Sequence, residues 1–453
     1  MKRKLLSKKI VCKFGGSSVE NAQQIKKVAN IVKDNKQRKF VVVSAPGKDE
    51  KYGVKITDHL LNISNPTHLS DKSIGTDDSK QAVLEKFTTL LKDLSITDKT
   101  FIDDLQKDLD TPLTGEKREA FLASRGEKFN ARAIANYFNS IGIKTKLCLP
   151  EDIGFMVTNE YLSAKVLPQT YKNLEMLDKN EEVSLVPGFY GITKDKQIAV
   201  LSRGGSDLTG GEIAYSINAS LYENWSDIDG VYDADPRIVD DADVVQRLTF
   251  KEIRLLSSKG FNVFHFDAMI NCKKRNIPIN IRNTNKPSAN GTMILTDRVP
   301  MEHIVGIAQL NDMAYVYVEK DGISDEAGFT EKLLSIFNRY KIITHYYPTD
   351  KDDIAVLISQ DDLEGNINNL KQDIEQELNP DVIDVVYNLS ILSAVGIGIK
   401  DDTTIIADAI LALKENNIEI EMMDQSPAKI SFQIAVNSQH ADTALKVMHE
   451  RLI

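Results

Sequence analysis

Val11–Val19 reads Val-Cys-Lys-Phe-Gly-Gly-Ser-Ser-Val: a short apolar run carrying Lys13, then two adjacent glycines and two hydroxyls. Ile25, Val28 and Val32 follow at helical spacing. Phe40–Val43 is a second apolar run, ending in Ser44-Ala45-Pro46-Gly47. Strand, helix and strand in this order predict a βαβ unit, and therefore a parallel sheet. Ligands of such sheets sit beyond the carboxyl ends of the strands, where Gly15-Gly16 and Ser44-Ala45 share one rim. Paired glycines let backbone approach a ligand closely, and amides at a helix start favour an anion. An ordinary strand–turn–helix with a solvated lysine accounts for the stretch equally well, so the rest of the chain has to decide.

A chain of 453 residues exceeds what one hydrophobic core supports and predicts two to four domains. Its net charge of −10 argues against a nucleic-acid binder. Cys12, Cys148 and Cys272 are far apart with no C-x-x-C pair, which reads as reduced thiols rather than a disulfide frame or zinc site. The basic N-terminus has only two leucines between its charges, too few for a signal peptide. No stretch approaches the ~20 apolar residues of a membrane span. These features predict a cytoplasmic protein with no membrane partner.

Lys48 to Glu119 is polar and reads as a mostly helical excursion, with Thr57 capping a helix and Gln81–Leu94 amphipathic. Phe121–Phe138 is a stronger helical pattern with Glu127 near its start, and as a lone signal that carboxylate is a surface residue. Lys144–Leu149, Val183–Val186, Ile198–Leu201 and Pro278–Arg282 read as strands. Leu201-Ser202-Arg203-Gly204-Gly205-Ser206-Asp207 is a second glycine-rich turn after a strand, with a helix predicted over Thr209–Leu221. Arg203 can hold a carboxylate or phosphate in a fork, Ser206 can donate a hydrogen bond and Asp207 can accept from a lysine. Two such turns, each carrying charge at a strand end, are hard to explain by packing alone. Asp227 to Arg237 sets four further aspartates beside one arginine, either as loop surface or as a nucleotide seat with Arg237 on phosphate. Asp297–His303, with Pro300, is the best boundary. Beyond it Thr330–Tyr340 leads into Lys341-Ile342-Ile343, and Ile405–Glu415 into Asn417-Ile418-Glu419, 76 positions apart (417 − 341). That spacing fits one small βαββαβ domain per unit.

These residues resemble one family. Lys13-Phe14-Gly15-Gly16-Ser17-Ser18-Val19 is similar to the K-F-G-G-[ST]-S-V signature of aspartate kinases. Ser124 to Glu127 resembles their S-x-G-E, Arg203–Asp207 their R-G-G-S-D, and Asp227–Arg237 their D-V-D-G-[IV]-Y-x-x-D-P-R. Four motifs in order, followed by a tandem ACT pair, span essentially the whole chain. The resemblance implies a three-layer αβα amino-acid-kinase sandwich with a mostly parallel sheet in residues 1–297. Two ferredoxin-like ACT domains, 304–380 and 385–453, would follow. It implies transfer of the γ-phosphoryl of ATP, with Mg²⁺, to the β-carboxylate of L-aspartate. Lys13 and Asp207 would be catalytic, and Ser44, Thr57, Glu127, Arg203 and Ser206 would hold aspartate. Lys13, Phe14, Gly15, Gly16, Ser17, Ser226, Asp227, Tyr232, Arg237 and Asn262 would seat ATP, with no dedicated protein metal site. Asn262 stands where the family usually has a lysine, inside Gly260–His265. Asp325, Phe329, Thr330, Thr344, His345 and Asp350 would meet an amino-acid effector, lysine first and threonine second, at the interface of a homodimer or larger oligomer. In the second ACT unit, Val395–Ile399 and Gln425–Pro427 match the family only loosely, which leaves it a structural role. The chain ends too early for a fused homoserine dehydrogenase. Two other readings compete: a non-catalytic amino-acid sensor that keeps the fold, and a kinase acting on acetylglutamate, glutamate, carbamate or UMP.

Overall fold

A computed structural model describes residues 8–179, 181–202, 204–259, 266–299, 303–402 and 404–453. The chain divides into two compact units. The first holds the described residues to Val231, Gln246–Phe250 and those from 266 to Arg298. The second holds Tyr232–Val245, the described residues from Lys251 to Lys259, Val299 and those from His303 onward.

In the first unit the strands are β1 (Ile10–Phe14), β2 (Arg38–Val43), β3 (Thr145–Leu147), β4 (Val183–Pro187), β5 (Tyr190–Ile192), β6 (Ile198–Val200), β7 (Leu221–Ser226), β8 (Arg247–Thr249), β9 (Ile279–Asn283) and β10 (Thr292–Leu295). Eight of them form one sheet in the order β3-β4-β2-β1-β7-β9-β10-β8, with β5 and β6 paired apart from it. Only the β9–β10 pair in the large sheet is antiparallel. β1 lies between β2 and β7, parallel to both. Its five residues are all buried, as expected for a strand covered on both faces. Alternation sends Cys12 and Phe14 into a core with Val41, Val43 and the helices Ala22–Asp34, Thr76–Asp93 and Arg125–Ser140. The other face, with Lys13, meets the helix Gly205–Ile217. The result is the expected three layers.

Three local expectations change. The helical pattern over Phe121–Phe138 is two helices, Gly115–Ala123 and Arg125–Ser140, that meet at Ser124. The helix expected over Thr209–Leu221 runs instead from Gly205 to Ile217, because Asn218 turns left-handed (φ 54°) and closes it. Thr57 is not a cap. The helix begins at Ile56 behind Lys55, so Thr57 lies in its first turn.

The second unit contains β11 (Gly306–Glu319), β12 (Thr344–Tyr346), β13 (Asp353–Ser359), β14 (Val382–Val395), β15 (Met422–Gln425) and β16 (Ser431–Asn437). They form one antiparallel sheet in the order β12-β13-β11-β14-β16-β15. The two long central strands pair with each other along their length, and each has a second neighbour over only half of it. Met313–Glu319 of β11 also pairs with β13, and Leu389–Val395 of β14 also carries β16. Asp312 (φ 57°) and Asn388 (φ 59°) mark the break in each strand, and Asp and Asn tolerate that left-handed conformation. Two cores result. One is built on the helices Phe329–Arg339 and Ile367–Leu378. The other is built on Thr404–Glu415 and Ala441–Leu452 and takes in Ile304 and Ile307. The sequence repeat reappears at the helix ends, where Lys341 (φ 58°) and Asn417 (φ 55°) make the same left-handed exit.

Candidate active site

Lys13 occupies the fourth position of β1 and is 8% exposed. Its ammonium lies 2.5 Å from Asp207 Oδ1. That same oxygen accepts a 2.8 Å hydrogen bond from Asn224 Nδ2, and Asn224 sits beside Lys13 in the β1–β7 register. Three elements therefore meet at one ion pair: the central strand, its neighbour, and the first turn of the helix Gly205–Ile217. Gly204 makes that helix start possible, because its φ of 76° is a conformation that a side chain disfavours. Thr209 stitches the first turn down, donating to the Gly205 carbonyl at 2.8 Å and accepting from the Phe189 amide at 3.1 Å. Ser206 is buried on the same turn.

The turn after β1 is tied to β7 and to a neighbouring loop. The Gly15 amide donates to the Trp225 carbonyl at 3.0 Å, and Ser18 Oγ pairs with Thr284 Oγ1 at 2.7 Å. The Ser44 amide donates to the Phe14 carbonyl at 3.2 Å. Asn130 Nδ2 donates to the Ser44 carbonyl at 2.8 Å. The Ala45 amide favours the ionised form of the Glu127 carboxyl. Glu127 is buried, not a surface residue, and Oε2 has no hydrogen-bond partner. Burial pushes its carboxyl up to about 8, against the opposing pull of that amide and its own. With one oxygen unanswered, this buried carboxyl has room to pair in its ionised form with an arriving cation. Thr57 is half-buried in the first turn of the helix that follows this loop, and Asp49 gathers the loop by accepting from the amides of Lys51, Tyr52 and Val54. His59, fully buried, is 3.0 Å from Asp49 through Nε2 and 3.1 Å from Ser79 through Nδ1.

On the other face of β1, Glu223 accepts from Arg38 at 2.7 and 3.0 Å, from Trp225 Nε1 at 3.0 Å and from Cys12 Sγ at 3.2 Å. The guanidinium holds this carboxyl below its usual range despite burial, whose opposing effect is the largest single contribution. Neither Asn224 nor Glu223 was expected from the sequence. Both lie in β7, whose Tyr-Glu-Asn-Trp interior shows no apolar run, and only its register beside β1 reveals them.

Of the expected nucleotide residues, Ser226 ends β7 and Asp227 is exposed just beyond it. Asn283 and Lys286 hold Asp229 at 2.5 and 2.6 Å. Tyr232 and Arg237 belong to the second unit, where Arg237 is exposed and paired with Asp235 at 2.6 Å. Arg203 and Asn262 lie outside the described residues. Among the expected effector residues, the ring of Phe329 is committed to a core. Asp325, Thr330, His345 and Asp350 are exposed, and Thr344 Oγ1 bonds the Tyr347 hydroxyl. Among the described residues no cluster of three or more His, Cys, Asp or Glu is placed to hold a metal ion, and no helix is long and apolar enough to cross a membrane.

The model of the amino acid kinase family matches residues 8–283, and an ACT domain model matches residues 392–452. Aspartokinase 3 of Bacillus subtilis is 34% identical over 97% of this chain and 98% of its own length. The chloroplastic aspartokinase 2 of Arabidopsis thaliana is 27% identical over 97% of this chain and 83% of its own. The aspartate kinase of Clostridium acetobutylicum, described as an allosteric enzyme, superposes with a TM-score of 0.87 at 30% identity, covering 98% of this chain and 100% of that one. Aspartokinase III of E. coli, solved with aspartate and ADP, shares the fold at a TM-score of 0.75 and 18% identity, covering 98% and 99%. The chain belongs to the amino acid kinase family and, within it, to the aspartokinases.

Proposed function

We propose that this chain transfers the γ-phosphoryl group of ATP to the β-carboxylate of L-aspartate. The products are 4-phospho-L-aspartate and ADP, at the entry to lysine, threonine and methionine synthesis, under feedback from an amino acid bound to the ACT module. The observation that carries this reading is the buried Lys13 ammonium, held by Asp207 at the carboxyl end of β1. A carboxylate is already a nucleophile. Its oxygen forms the new bond to the γ-phosphorus while the bond to the β,γ-bridging oxygen breaks, and no proton need move. Such a reaction asks for alignment and positive charge rather than a general base. Lys13 supplies the charge, and Asp207 and Asn224 fix where it stands. Glu127, together with Ser44, Thr57 and Ser206, is the expected seat of aspartate, with Glu127 on its ammonium and Arg203 on its α-carboxylate. Phe14, Gly15, Gly16 and Ser17 offer backbone to the phosphates. Ser226, Asp227, Tyr232, Arg237 and Asn262 would complete the nucleotide seat. Mg²⁺ would arrive on the ATP phosphates and offset their charge.

Residues 1–297 are assigned to catalysis, and the ACT pair, 304–380 and 385–453, to regulation, with Gly306–Leu310 closing the second ACT core by strand pairing. A homodimer or larger oligomer, a cytoplasmic location, and lysine then threonine as effectors at Asp325, Phe329, Thr330, Thr344, His345 and Asp350 belong to the same proposal. The test is ADP release with ATP and Mg²⁺ against L-aspartate, L-glutamate, N-acetylglutamate, carbamate and UMP in parallel. Aspartate should be the sole efficient acceptor, and faster turnover of any other would overturn the assignment.

A further inference from the structure

The segment Tyr232–Val245 leaves the end of β7 and returns to the start of β8, yet it packs as part of the second unit. Its base is a short antiparallel bridge between Tyr232 and Val244. Asp233 is held in several ways there. Its amide donates to the Asp243 carbonyl at 3.0 Å, and its carbonyl accepts from the Ile307 amide at 2.7 Å. Its carboxylate accepts from the Asp243 amide at 3.1 Å. Ala234 and Val239 are buried in the core that also contains Leu445 and Met448 of the C-terminal helix Ala441–Leu452. From that helix the imidazole of His449, 6% exposed, reaches Asp233 Oδ1 through Nε2 at 3.0 Å. Its other nitrogen is 4.0 Å from Asp241 Oδ1. Beyond this anchored base the segment carries Arg237, exposed and aimed by Asp235, which accepts from both its amide and its guanidinium.

We propose that His449 is a positioning residue for ATP. Acting through Asp233, it fixes the base of the arm whose tip is Arg237. This rests on the reading above that Tyr232 and Arg237 seat ATP. The geometry favours a specific joint over plain packing. Asp233 Oδ1 meets both the Asp243 amide of its own loop and the imidazole, and removing the imidazole leaves a buried carboxylate oxygen with one partner where it had two. The bond also spans residues 216 positions apart, so no local turn requires it.

The experiment is steady-state kinetics of the full chain, varying ATP at saturating aspartate and the converse. His449→Ala should raise KM for ATP about tenfold, the coupling typical of contacting groups. The kcat and the KM for aspartate should stay within about twofold. His449→Gln, whose amide reaches the Nε2 position, should recover most of the loss. Asp233→Ala in the His449→Ala background should add little, since the partner is already gone. Arg237→Ala separates the two claims. If it raises KM for ATP while His449→Ala does not, the positioning role is wrong and the nucleotide arm stands. If Arg237→Ala leaves KM for ATP unchanged, the arm does not seat nucleotide and the proposal falls with it. Should His449→Ala not fold, Asp233→Asn and His449→Gln carry the test by amide exchange. Faster exchange confined to 232–245 with Asp233→Asn, together with a raised KM for ATP, supports the joint, and unchanged exchange there overturns it.

Discussion

Glu127→Gln should make the catalytic unit relatively more stable as pH rises, while weakening its hold on aspartate. The Glu127 carboxyl has a pKa of about 8 in the folded chain against an ordinary 4.5. Below about 4.5 it is protonated whether folded or not, and contributes no pH dependence. Between about 4.5 and 8 the unfolded chain ionises and the folded chain does not, so folding loses about 1.4 kcal/mol per pH unit. Above about 8 the loss levels off near 5 kcal/mol at most, from a difference of roughly 3.5 units. Glutamine does not ionise, so it escapes this loss. It brings a constant offset of about 1–3 kcal/mol for an amide imperfectly paired in a carboxyl's place. The readout is therefore the slope with pH and not the offset. Trp225 is the only tryptophan and is fully buried in the core of the first unit, so its emission follows unfolding of that unit within the whole chain. Urea midpoints by Trp225 fluorescence should show the variant gaining on the parent between pH 6 and 8. A difference that is flat or falls over that range would refute the burial argument. The same variant should raise KM for aspartate about 10–100-fold, the worth of a hydrogen bond between charged groups. In the parent that KM should fall as pH rises toward 8, because the ammonium requires the ionised carboxylate.

Three further outcomes follow from the same geometry. Asn224→Ala leaves Asp207 Oδ1 with Lys13 alone and should lower kcat about tenfold with the unfolding midpoint nearly unchanged, read by parallel turnover and denaturation measurements. Gly126→Ala would place a Cβ 2.7 Å from the Ala45 Cβ. It should cost about 1–3 kcal/mol by urea unfolding and raise KM for aspartate by displacing the Ala45 amide from Glu127. Glu223→Gln strips the carboxylate from the buried Arg38 guanidinium and should destabilise the first unit by about 3–5 kcal/mol in the same unfolding assay, although Glu223 lies away from the Lys13 face.

Much of the site was legible because its chemistry is local in sequence. Lys13 beside two glycines, and Asp207 beside two more, each declare a charged strand end, although β6, the strand before Asp207, lies outside the parallel sheet and the helix Gly205–Ile217 is what brings Asp207 to Lys13. What the sequence hid depends on register and burial. Asn224 has no motif of its own and becomes Asp207's second partner only because β7 runs parallel beside β1. Glu127 reads as a surface carboxylate on an amphipathic helix, and it is the break at Ser124 together with Ala45 that turns it inward. β7 itself was missed, since Glu223 and Asn224 interrupt the apolar pattern of a buried strand, and their compensation comes from Arg38 and Asp207, far away in sequence. The ACT repeat was visible as two helix-to-strand joints. That β11 and β14 run the whole length of a shared sheet, with irregularities at Asp312 and Asn388, was not, because nothing in a single strand's sequence says which neighbour it will have.

The central claim is that Lys13, steadied by Asp207, carries phosphoryl transfer to aspartate. The most direct measurement is aspartyl hydroxamate formation from ATP, Mg²⁺, L-aspartate and hydroxylamine, by the parent chain and by Lys13→Met. The parent should give an aspartate-dependent signal, and the variant should lose at least ~10²–10³-fold in kcat, as expected for removal of one charge-stabilising group, while the Trp225 unfolding midpoint shows it folded. A parent with no aspartate-dependent hydroxamate, or a Lys13→Met protein with near-normal kcat, would contradict the account.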